Sequence, residues 1–161
     1  MRRDSHIVLG IISAYAVHFP VLPAMVFAVL PDIDVKWSLQ NTKKKKAKAS
    51  LWNSHRGITH HAFLIPILLI PILLINKGPL LFVASACLGY LSHLLADILT
   101  KSGIPYWKHK DRIAIQLFAT GTFAETLTVG IISLTVIGLL YHFYGFTYII
   151  PRDFWFLWHR I

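Results

Sequence analysis

The chain has 161 residues, 55% of them hydrophobic and 14% charged, with a formal net charge of +9. Soluble domains carry roughly 25% charged residues, so this composition excludes an ordinary soluble domain and points to one membrane-embedded unit spanning residues 1–161. Cys87 is the only cysteine, which excludes an internal disulfide and a thiolate metal cluster.

The N-terminus has the basic start of a signal peptide, but no small-residue cleavage site follows the apolar run, so it is read as uncleaved. Residues 6–31 are apolar and broken by His18-Phe19-Pro20-Val21-Leu22-Pro23. A straight segment would put His6 and Asp32 about 39 Å apart at 1.5 Å per residue. Folded back near Phe19–Pro23, it makes two halves, each too short for a hydrocarbon core of about 30 Å, with both ends on one side. The re-entrant hairpin is the preferred reading, and it places His18 at the tip.

Pro31-Asp32-Ile33-Asp34 closes this segment. In an extended piece, alternation puts Asp32 and Asp34 on the same side. Two adjacent carboxylates repel unless a cation lies between them; the rival reading is a helix-terminating turn. Residues 36–54 follow as a basic, mobile loop. Seven of the sixteen Lys and Arg lie between Lys36 and Arg56, which marks the cytoplasmic side and an anionic leaflet. Only Trp37 and Trp52 interleave with these charges, so nucleic acid is not the expected partner.

His55-Arg56-Gly57-Ile58-Thr59-His60-His61 stands just before an apolar run, residues 62–75. Gly57 permits a bend that brings His55 and His60 to one point. The planar fork of Arg56 suits phosphoryl oxygens. Pro66 and Pro71 follow, which membrane helices tolerate. A turn at Asn76-Lys77-Gly78 then sends a helix from Pro79 to Thr100 back antiparallel. His93 and Asp97 lie four residues apart on one face of it. An ionisable pair is costly to bury in an apolar helix. Either Asp97 holds the His93 ring by a hydrogen bond, or both groups bind a metal.

Lys101–Pro105 ends that helix, and Tyr106–Arg112 is an aromatic and basic interfacial patch that includes His109. A last apolar stretch runs from about Phe123 to Phe146, with His142 near its far end. Glu125, at its start, is either a helix N-terminal carboxylate favoured by the dipole or a final ligand or general base; both readings stand. Residues 151–161 hold Phe154, Trp155, Phe156 and Trp158, an interfacial aromatic tail. There is no Gly-rich phosphate loop, no GxSxG and no HExxH.

The expected fold is therefore all-α: a polytopic membrane helical bundle with a re-entrant or broken N-terminal hairpin and a polar metal site at one membrane face. His6, Asp32, Asp34, His55, His60, His93 and Asp97 all fall at segment ends that the hairpin brings to that face. Seven such groups are too many for one tetrahedral ion and suit two or three metals.

His6, Leu30-Pro31-Asp32-Ile33-Asp34, His55-Arg56-Gly57-Ile58-Thr59-His60, Gly89 through Thr100 and Ser102-Gly103-Ile104-Pro105 together resemble the YdjM-like, LexA-regulated membrane-bound metal-dependent hydrolases. That family is similar in ligand pattern to zinc phospholipase C and the zinc single-strand nucleases. The resemblance implies a DNA-damage-induced hydrolase of a bacterial inner membrane, multi-pass, with zinc as the metal. It departs from the family at Val35, where a histidine is common, and at His61, where serine is usual. On this reading His6, Asp32, His55, His60, His93 and Asp97 hold metal. Asp34 bridges metals or acts as general base, and Arg56 steadies phosphate charge. The substrate is a phosphoester, a lipid headgroup or another membrane-held molecule, and membrane lipids are the partner. The alternatives are a metal-ion transporter or ion channel, which would space ionisable groups along a span, and a structural membrane protein whose histidines satisfy one another.

Overall fold

A computed structural model of the chain describes residues 1–33, 58–75, 78–107 and 111–144. Asp34, His55, Arg56, His109, the basic loop 36–54 and the tail 151–161 lie outside the described residues.

Helix α1 (Arg3–Ala16) and helix α2 (Val21–Phe27) form the predicted hairpin. The break is local chemistry: Pro20 lacks an N–H to continue α1, Phe19 N–H folds back to the Ala14 carbonyl at 2.9 Å, and exposed His18 takes a left-handed φ of 57° at the tip. Pro23 sits in the first turn of α2, where its missing N–H costs nothing. The two helices pack through small residues. A Cβ on Gly10 would lie 2.7 Å from the Ala28 Cβ.

A 3-10 turn, Leu30–Ile33, follows α2. Of the two readings of Pro31–Asp34, the extended piece gives way to the helix-terminating turn as far as Ile33. Asp32 N–H closes on the Val29 carbonyl at 3.1 Å, so the chain leaves α2 by tightening, and alternation gives no account of where the carboxylate points.

A second 3-10 turn, Ile58–His60, leads into helix α3 (Leu64–Leu74), which contains Pro71 and lies along helix α4 (Leu81–Leu99). At 1.5 Å per residue α3 is about 16 Å long, well short of a bilayer core. Two helices among the described residues are long and apolar enough to cross one: α4, and helix α5 (Phe123–Tyr144). The hairpin crosses α4 at another small-residue contact, Gly89 against Ala24, the packing that lets membrane helices approach closely.

The C-terminal end of α4 is closed by a short extended segment. Ile115 N–H donates to the Ile98 carbonyl at 2.7 Å and Leu117 N–H to the Leu99 carbonyl at 2.9 Å, which satisfies acceptors that a helix end leaves orphaned. Strand β1 (Ile104–Pro105) pairs antiparallel with strand β2 (Arg112–Ile113). Gly103 allows the turn there: its φ is 56°, and a Cβ would lie 2.2 Å from the Ile113 carbonyl oxygen. Helix α5 rests against α1, and Leu9, Ala96, Phe118 and Val129 share a small core between them.

Candidate metal centre

His93 and Asp97 occupy the last two turns of α4 and are fully buried. His93 Nε2 is 3.8 Å from Asp97 Oδ2, too far for a hydrogen bond. The imidazole is held from its other side, with Nδ1 2.7 Å from the Ala28 carbonyl oxygen. A carbonyl only accepts, so Nδ1 carries the proton and Nε2 presents a lone pair to the cluster.

His60 arrives from the second 3-10 turn. Its Nδ1 is 2.9 Å from the Thr59 hydroxyl, and the Tyr90 hydroxyl of α4 donates to the Thr59 carbonyl at 2.7 Å. This leaves His60 Nε2 2.9 Å from His93 Nε2. Two imidazole nitrogens that close need a proton or a cation between them. Asp32 Oδ1 lies 3.6 Å from His60 Nε2 and 3.8 Å from His93 Nε2. Asp97 Oδ2 lies 3.6 Å from His60 Nε2.

Each carboxylate oxygen thus lies 3.6 Å from His60 Nε2 and 3.8 Å from His93 Nε2, which makes two triangles that share the 2.9 Å edge between the imidazoles.

His6 adds a second side. Its ring stacks on His93 with centroids 3.7 Å apart and planes 18° from parallel, and its Nε2 is 3.6 Å from Asp97 Oδ1. Asp97 thus faces two ways, Oδ2 toward His60 and His93 and Oδ1 toward His6. The Met1 ammonium also lies on Oδ1, at 2.7 Å. Two groups of three have ligand atoms within 4.8 Å of one another: His6, Asp32 and His93, and His60, His93 and Asp97.

Buried imidazoles beside two carboxylates are a donor set that fits a divalent cation. Burial by itself raises the Asp32 pKa. A hydrogen bond from His60, and the positive charge that His93, His6 and His60 carry when protonated, outweigh that and hold its carboxyl well below the usual range.

The remaining predicted residues lie elsewhere. His61 is buried beside the cluster, but its ring tilts against Phe63 and its Nδ1 accepts the Phe63 N–H at 3.3 Å. His142 is exposed at the far end of α5. Glu125 is buried and belongs to neither group of three; its oxygens accept from Arg2 N–H, the Ser5 hydroxyl and Gly121 N–H. Sequence reasoning missed Thr59, Tyr90 and the Ala28 carbonyl as the supports of His60 and His93. Thr59 and Tyr90 left a faint signal, polar residues one and three positions before a histidine. The carbonyl left none.

Fold and site together define a helical protein with two helices able to cross a membrane and a buried His/Asp cluster where several segments end. The family model described as YdjM inner membrane protein matches residues 1–150, and the chain belongs to that family. No curated protein and no solved structure matches the chain.

Proposed function

We propose that this membrane protein is a metal-dependent hydrolase that cleaves a phosphoester, on a lipid headgroup or another membrane-held substrate. The observation that carries this reading is the convergence of buried donor atoms, with Asp32 Oδ1 and Asp97 Oδ2 each within 3.8 Å of both His60 Nε2 and His93 Nε2. Divalent ions held there, two or three zincs by resemblance, would supply a Lewis acid for a phosphoryl oxygen and a more acidic water. The side chains do the rest. His60 and His93 present lone pairs, Asp32 and Asp97 balance the positive charge, and Asp97 is placed to bridge toward His6. Asp34, His55 and Arg56 keep their sequence-based roles as base or bridge, ligand and phosphate contact. A transporter would carry such groups along the depth of a span. The imidazole and carboxylate of α4 sit together in its last two turns, and α3 has none.

The test is elemental analysis of the protein purified in detergent, followed by a screen of phosphodiesters and phospholipids. The expected result is stoichiometric zinc and a hydrolysis that a chelator removes and zinc restores. Protein without stoichiometric metal overturns the metal reading. Metal flux into proteoliposomes with no hydrolysis favours transport.

On this reading the protein is multi-pass, and its site lies at the cytoplasmic surface beside the basic loop. The segment between α4 and α5 would then rest among headgroups, because Tyr106, Trp107, Ile115 and Leu117 are each more than half exposed. With Trp37, Trp52, Trp155 and Trp158 replaced by Phe, Trp107 emission in lipid nanodiscs should be blue-shifted and quenched by brominated lipid. Emission as in water, unquenched, would place this segment off the bilayer.

A further inference from the structure

Glu125 is fully buried, yet the cluster does not use it. Its surroundings say what it does. Helix α1 opens without a capping side chain of its own: Arg2, at its N-cap, makes no side-chain cap bond. Glu125 reaches across from α5 and fills that part. One oxygen, Oε1, accepts the Arg2 N–H at 2.7 Å and the Ser5 hydroxyl at 2.6 Å. The other, Oε2, accepts the Gly121 N–H at 2.7 Å, which ties the turn before α5 into the same knot. The Arg2 carbonyl in turn accepts the His6 N–H at 3.2 Å. His6 is therefore one residue from one contact of Glu125 and hydrogen-bonded to another.

We infer that Glu125 is a positioning residue for His6: it fixes the first turn of α1 from outside that helix, and so sets where the His6 imidazole meets Asp97 and His93. The inference rests on the metal reading of the cluster and adds a residue to it. It also separates the two roles open to Glu125 from sequence. A carboxylate accepting three donors is engaged by the protein's own N–H and O–H groups. Partners bonded directly to a ligand typically change metal affinity by about 10–100-fold when removed, and Glu125, which acts on His6 through Arg2 and Ser5, belongs at the lower end of that range.

The test is a double-mutant cycle on the full chain in detergent, with zinc(II) affinity read by competition against a chromophoric chelator. Glu125→Ala should weaken zinc binding by about 10-fold, the lower end of the range for direct partners of a ligand. His6→Ala should weaken it further, and adding Glu125→Ala to His6→Ala should change nothing more, because the carboxylate acts through that imidazole. Losses that multiply in the double variant would show a direct ligand or a general structural role and overturn the inference, as would a Glu125→Ala protein that binds zinc like the wild type. If Glu125→Ala does not fold, Ser5→Ala and Glu125→Gln enter the same cycle. Gln keeps an oxygen for Arg2 and Ser5 and should lose less affinity than Ala. Wild-type protein that binds no zinc overturns the metal reading itself, an outcome distinct from multiplying losses.

Discussion

Replacing His93 with alanine should empty the site of metal and abolish hydrolysis. No other described residue has so many of the cluster's groups around it: His60 Nε2 at 2.9 Å, carboxylate oxygens of Asp32 and Asp97 at 3.8 Å, and the His6 ring stacked on its face. The variant removes a proposed ligand and leaves His60 facing a void. The loss of zinc affinity should exceed the roughly 10–100-fold typical of an outer partner. Circular dichroism separates this from unfolding, since α4 keeps its length and alanine is a good helix former. A His93→Ala protein that retains its full metal load would remove the centre of the proposal.

Gly89→Ala should be among the most damaging added methyls at the described glycines. The added Cβ would lie 2.1 Å from the Ala24 carbonyl oxygen and 2.6 Å from its carbonyl carbon and Cα. Those are backbone atoms of α2, so no side-chain rotation relieves them, and the hairpin must move off α4. Overpacking a close contact costs typically 1–3 kcal/mol and occasionally more; about 3 kcal/mol is expected here, read as a fall in melting temperature in detergent. Metal content should fall with it, because Ala28, whose carbonyl orients His93, lies one turn from Ala24. Gly130→Ala and Gly138→Ala are the controls. Both sit on α5 with open space at the Cβ, and both should melt at or above the wild-type temperature. Equal melting of Gly89→Ala and wild type would refute the close-packing account.

The parts of this arrangement that were legible in sequence are those governed by spacing and by proline. Pro20 and Pro23 predicted the hairpin, and the i, i+4 spacing predicted that His93 and Asp97 share a face. The hairpin then accounts for His6 and Asp32 meeting at the same end of α4. Local dihedrals were less legible. Pro-Asp-Ile-Asp supports both an extended piece by alternation and a helix-terminating turn, and the residue types do not rank the two; α2 ends in a 3-10 turn. The supports of the cluster were least legible of all. The Ala28 carbonyl is backbone, invisible to any residue-type reading, and the three donors to Glu125 come from residues up to 123 positions away. Sequence could offer Glu125 two roles; it took the fold to show which groups the carboxylate touches.

The hairpin has a consequence for topology. Residues 6–31 are an apolar stretch long enough, by length alone, to be counted as one crossing. Placed in a membrane as proposed, a segment that turns at Phe19 and comes back adds none, and its two ends share a side. Any count that credits it with a pass reverses the parity of every later segment, and assigns α4, α5 and the loop between them to inverted orientations.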